Sequence, residues 1–143
     1  MKAMVLDGGQ FALTDVAEPR PEAGQVLCRP LVCGVCGSDL HAKEHTGHLC
    51  DLLHRAGFRG FMDPSRPVVM GHEFCCEVLE KSGSFEPGQR IVAQPFIAGP
   101  DGFELIGYSK RLNGAFAEQM MVGADSALVV PDDVSSDVAA LTE

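Results

Sequence analysis

The run Cys33-Gly34-Val35-Cys36-Gly37-Ser38-Asp39-Leu40-His41, answered later by Gly71-His72-Glu73, gathers thiols, imidazoles and carboxylates between strand-like segments. These are zinc ligands by type. Cysteine binds as thiolate, histidine through a ring nitrogen and a carboxylate through oxygen, and three such ligands leave one tetrahedral position open for chemistry. Cys33 and Cys36 form a CxxC pair, but no second CxxC follows to complete a four-thiolate structural site. Gly34 and Gly37 bracket Val35 and Cys36 and are expected to let the backbone turn sharply enough to aim that thiol inward.

The elements that would position these residues are short and mostly extended. Residues 2–6 and 11–16 are apolar-rich runs separated by Asp7-Gly8-Gly9-Gln10, a hairpin signal. Pro19 and Pro21 exclude regular structure around them. Residues 25–32 read as a strand, with Pro30 marking an edge or a bulge. Ser38 or Asp39 is placed to cap a short helix over 40–44. A second helix fits 49–56, with Leu49, Leu52, Leu53 and Ala56 on one face and Gly57 as its stop. That apolar face is expected to cover the core near the candidate site. Residues 58–67 read as loop, 68–70 deliver His72, and further strands fit 74–80, 90–95, 115–122 and 127–130. Ser135 or Ser136 opens a last helix with Asp137 in its first turn. Many short strands with Gly and Pro turns predict a mainly β fold with short helices, a small antiparallel barrel or sandwich.

Composition narrows the function classes. The 143 residues are enough for one domain, 45% are hydrophobic, and no apolar run is long enough to span a bilayer. The opening Met1-Lys2-Ala3-Met4 enters a strand-like run without a signal-peptide core, so a cytoplasmic location is expected and the six cysteines are expected to be reduced. A net charge of −9 disfavours nucleic acid and anionic membrane as partners.

The phrase CGVCGSDLH followed by GHE resembles the catalytic-zinc signature of the zinc-dependent medium-chain alcohol and polyol dehydrogenases. Glu86-Pro87-Gly88-Gln89-Arg90-Ile91-Val92, Gly114-Ala115-Phe116-Ala117-Glu118 and Ala139-Ala140-Leu141-Thr142-Glu143 resemble further family phrases in the same order. The last is similar to the start of a sorbitol and threonine dehydrogenase motif. The resemblance covers most of the chain. It implies that residues 1–143 are the N-terminal portion of a GroES-like catalytic domain, a partly open β-barrel. It implies zinc on Cys36, His72 and Glu143, with Glu73 as a near-zinc carboxylate and Asp39 hydrogen-bonded to the ligand histidine. Ser38 matches the hydroxyl that passes on the substrate proton, and His41 the group that relays it towards solvent. The parent reaction implied is hydride transfer between a small alcohol or polyol and NAD or NADP, in a full-length protein that is a homo-oligomer.

Two departures stand out. The segment 42–70 is longer than usual between the zinc motifs. The four-cysteine lobe that binds a structural zinc in many relatives should fall between Pro95 and Gly114, where there is no cysteine, so one zinc is expected. The chain also has no GxG and no βαβ pattern for a dinucleotide. It is therefore expected to be inactive alone.

A free cysteine such as Cys36 is more often a small buried hydrophobe, and Asp39 is more often a helix cap. Cys28, Cys33, Cys50, Cys75 and Cys76 read as packing residues, the vicinal pair pointing to opposite faces of a strand. His41, His45 and His48 have helical spacing but are interrupted by Gly47. Two rival classes share the barrel: zinc-free quinone or enoyl reductases, and non-catalytic GroES-like binding modules. Neither class would keep Cys36, Asp39 and His72 together.

Overall fold

The computed structural model of the chain describes residues 1–99 and 102–142. In chain order these form β1 (Lys2–Asp7), β2 (Gln10–Asp15), β3 (Gln25–Cys33), α1 (Gly37–Arg55), β4 (Val68–Val69), β5 (Phe74–Val78), β6 (Arg90–Ala93), β7 (Phe96–Gly99), β8 (Gly102–Leu105), β9 (Met120–Gly123), β10 (Ala127–Val129) and α2 (Ser136–Ala139). The architecture is mainly β, as expected.

Gly8 and Gly9, both at positive φ, close the β1–β2 hairpin, and β4 pairs with the other edge of β1. The larger sheet runs β10-β6-β5-β3-β9. Its inner face carries Val26, Cys28, Phe74, Cys76, Ile91, Met120 and Val122, all buried in one apolar cluster. Pro30 lies in β3 beyond its pairing with β9, which ends at Cys28, and a proline cannot donate to the ladder. The β3–β5 register shifts between Pro30 and Val32, so the proline is absorbed by a bulge. The two sheets are linked by the segment ahead of β9, where Met4 N donates to Phe116 O and Glu118 N to Lys2 O.

The antiparallel pairing of β3 with β5 positions the site. Cys33 lies opposite Phe74, so residues just after β3 must meet residues just before β5. Gly34 N donates to Glu73 O at 2.8 Å and extends the ladder by one step. The Gly114-Ala115-Phe116 phrase clamps the same place, its three N–H groups donating to Val69, Gly71 and Met70 carbonyls. Residues 115–119 were expected in a strand; they serve this clamp instead, and only Met120–Gly123 joins the sheet.

The helical region also departs from expectation. One helix, α1, spans both predicted pieces and is kinked at His45 (φ −129°, ψ 35°), where Thr46 turns its hydroxyl back to Ala42 O. Gly57 ends it as foreseen, in a Schellman arrangement with Gly57 N donating to His54 O and Phe58 N to Leu53 O. The kink sets the buried face as Asp39, Ala42 and Cys50, with Leu49 and Leu53 half-buried. Leu52 and Ala56 point to solvent, so the predicted face is only partly used. A hairpin, β7–β8, fills the stretch where the four-cysteine lobe was considered. No described helix is long and apolar enough to cross a membrane.

Candidate metal centre

Cys36 is the N-cap of α1, with extended φ and ψ, and His72 follows Gly71 at the entrance to β5. Sγ of Cys36, a ring nitrogen of His72 and a carboxylate oxygen of Glu73 lie within 4.8 Å of one another. Among the described residues they are the one group of three such ligands. Glu143 lies outside the described residues.

The glycines that shape the site act differently from the sequence expectation. Gly34 and Gly37 are not at positive φ. At Gly34 a Cβ would stand 2.4 Å from Oε2 of Glu73 and 3.2 Å from its Cβ, so the Glu73 side chain would have to move. The sharp turn is at Gly71 (φ +95°), where a Cβ would also run into the Phe116 ring and Cys33 Sγ.

Asp39, 1% exposed, is the hub. Its Oδ2 accepts from Cys36 N at 2.9 Å, and its Oδ1 stands 3.3 Å from Nδ1 of His72. It therefore caps the helix and orients the imidazole at once, leaving Nε2 as the ring nitrogen that Asp39 does not hold. Ser38 Oγ is 3.3 Å from that Nε2. His41 is exposed, its ring 4.9 Å from that of His45, and no hydrogen bond joins it to Ser38 among the described residues.

Sequence reasoning missed Tyr108. Its hydroxyl donates to Ser38 Oγ at 2.9 Å and lies 3.3 Å from Oδ1 of Asp39. Its ring stacks on Phe61 and tilts against His72. Burial, helped by the charge of Asp39, holds its phenol well above the ordinary pKa range and so neutral. The available signal was a lone tyrosine in an apolar stretch, whose hydroxyl must find a partner if buried. Cys33 does not face the cluster. It packs against the main core with Sγ directed to Gly34 O, and burial, then the charges of Asp39 and Glu73, push its thiol up to about 12.

The donor set suits zinc. A tetrahedral zinc holds sulfur and nitrogen ligands roughly 3.5 Å apart, so the 4.8 Å limit needs only small adjustments. The buried carboxylate behind the histidine is the usual second partner of a ligating imidazole. A cavity of about 220 Å³ opens beside His72 and reaches Ala140 and Thr142.

The chain belongs to the alcohol dehydrogenase GroES-like domain family, which it matches over residues 22–132. It is 32% identical to (R,R)-butanediol dehydrogenase of Bacillus subtilis over 90% of this chain and 39% of that protein. The crystal structure of the Bacillus subtilis 2R,3R-butanediol dehydrogenase superposes with a TM-score of 0.75 at 27% identity, covering 98% of this chain and 43% of that one. Sorbitol dehydrogenase of Halalkalibacterium halodurans is 29% identical over 100% of this chain and 43% of its own. Acryloyl-coenzyme A reductase of Metallosphaera sedula is also 29% identical, over 99% of this chain and 43% of its own. The chain thus spans about two-fifths of the length of these relatives.

Proposed function

We propose that residues 1–143 are the zinc-binding part of the catalytic domain of an NAD(P)-linked alcohol or polyol dehydrogenase. Cys36 and His72 hold the metal, and a carboxylate from Glu143 or Glu73 completes the protein ligands. The observation that carries this reading is the convergence of Cys36, His72 and Glu73 in front of the buried Asp39. Bound zinc supplies a Lewis acid that favours the alkoxide form of a substrate alcohol. The residues of the chain do the rest of the local work. Asp39 fixes the histidine tautomer and raises its basicity. Ser38 stands beside Nε2 of His72, where its hydroxyl can take or return the proton of a substrate hydroxyl. His41, further along the same exposed turn of α1, carries that proton towards solvent through water. The nicotinamide cofactor is bound by residues beyond this chain, so the chain alone turns over no alcohol. The full-length protein is a homo-oligomer in the cytoplasm.

Zinc titration of metal-free chain tests this reading. One zinc should bind, Cys36→Ser and His72→Ala should abolish binding, and Cys33→Ser and His41→Ala should leave it intact. Retention of zinc by Cys36→Ser, or its loss from Cys33→Ser, would sink the assignment. The likeness to an acryloyl-coenzyme A reductase supports a second reading, reduction of an activated double bond. A chain that takes up no zinc at any concentration would favour it.

A further inference from the structure

The hydroxyl of Ser38 is useful for proton transfer only if its hydrogen points the right way, and a serine on the first turn of a helix has three rotamers and a freely turning O–H. Ser38 is exposed, so packing does not hold it. Tyr108 does. Its ring is 3% exposed, stacked at 5.5 Å on Phe61 and 5.1 Å from the His72 ring, which leaves the phenol oxygen little freedom. From that fixed point the O–H donates to Ser38 Oγ at 2.9 Å.

We infer that Tyr108 is a positioning residue: by donating to Ser38 Oγ it turns the serine's own hydrogen towards Nε2 of His72, the side on which a substrate oxygen would be held. An oxygen that already accepts from one neighbour presents its hydrogen away from that neighbour. Among the described residues, the other polar atom within hydrogen-bond reach of Ser38 Oγ is Nε2 of His72, at 3.3 Å. With Nε2 holding a metal it would no longer accept, and a substrate oxygen beside it would be the acceptor for Ser38. The same phenol oxygen lies 3.3 Å from Oδ1 of Asp39, beside the carboxylate that faces the histidine. The inference rests on the reading of Ser38 as proton carrier.

Two measurements on the chain test it, and neither needs turnover. Tyr108 is the only tyrosine, so a chain whose tyrosine is carbon-13-labelled at Cζ alone gives a single resonance from that label. Ser38→Ala should move it; an unmoved resonance overturns the contact. In the second, the chain is saturated with cobalt(II) and titrated with trifluoroethanol and, separately, with imidazole, following the visible bands of the metal. Tyr108→Phe keeps the ring stack and removes only the hydroxyl. It should weaken trifluoroethanol about tenfold, the worth of one hydrogen bond, and leave imidazole unchanged. Undiminished trifluoroethanol binding, or equal weakening of both ligands, overturns the inference. If Ser38→Ala itself binds trifluoroethanol as the parent does, the reading of Ser38 falls and takes this one with it, whereas a defect in Ser38→Ala without one in Tyr108→Phe overturns this one alone.

Discussion

At the scale of single residues the site is organised by Asp39 rather than by its ligands. One buried carboxylate accepts from the Cys36 backbone, faces Nδ1 of His72 and has the Tyr108 hydroxyl oxygen 3.3 Å from its Oδ1. Asp39→Asn keeps the shape and removes the charge. Zinc affinity should fall about 10- to 100-fold, the usual cost of losing such a partner, which titration against the parent at matched folding would measure. Cys33 gives a pH signature. Its thiol is pushed from an ordinary 9.0 up to about 12 by burial and by the carboxylates of Asp39 and Glu73. Between those values the unfolded chain has lost the proton and the folded one keeps it, so stability is full below pH 9 and declines as pH rises towards 12. Tyr108, raised in the same direction, adds to the decline. Denaturant midpoints measured from pH 8 to 11.5 should fall steadily, and less steeply in Cys33→Ala. A flat profile would mean that Cys33 is not buried as the structure has it.

At the scale of elements, the hairpin β7–β8 and the turn after it have their own tie. Glu104, 3% exposed, accepts from Ser109 Oγ and from Nε of Arg111 at 2.8 Å, while Ser109 Oγ also receives the Arg111 and Leu112 N–H groups. This network occupies the segment between Pro95 and Gly114, where the family resemblance would put a four-cysteine lobe, and ties it with a carboxylate and a guanidinium. Arg111→Ala leaves a buried carboxylate short of a donor. The cost should be about 1–3 kcal/mol, moderated because the arginine is half exposed, and amide exchange should rise first in Phe96–Gly99 and Gly102–Leu105. Legibility from sequence was uneven at this scale for physical reasons. Strands with strong alternation and glycine turns, such as β1–β2, could be read directly. The hairpin β7–β8 could not, because Gly99 and Gly102 sit inside it and its stability comes from Glu104, a contact that no local pattern encodes. The helix was split in two because Gly47 and the histidines weaken local propensity, whereas burial of Ala42 and Cys50 carries α1 through them. In the site, Cys36 and His72 stood out as ligand types, and the roles of Asp39, Ser38 and Glu73 were legible through the family resemblance. Tyr108 did not, because it arrives from a part of the chain with no ligand residue in it.

At the scale of the whole molecule, the candidate centre is a junction. Cys36 arrives from the end of β3, and His72 and Glu73 from the entrance to β5. The cavity beside His72 is also lined by Ala140 and Thr142, which follow α2. A metal there would bridge segments that separate on unfolding, so zinc binding is also a stability measurement. At a free concentration of 100 times Kd, zinc should add about 2.7 kcal/mol, or roughly 5–10 °C in Tm for a domain of this size. The same experiment decides which carboxylate completes the centre. Ordering a chain end costs conformational entropy that a metal–oxygen bond must offset, so if Glu143 is the third ligand the affinity of this chain should be weak. Glu143→Ala should then lower the affinity further, by about tenfold or more, and Glu73→Ala should matter less. An extension of the chain beyond Glu143 should raise it. If Glu73→Ala is the variant that loses zinc, and Glu143→Ala and the extension leave the thermal shift unchanged, the metal is held wholly by the β3–β5 junction and Glu143 is not the ligand proposed.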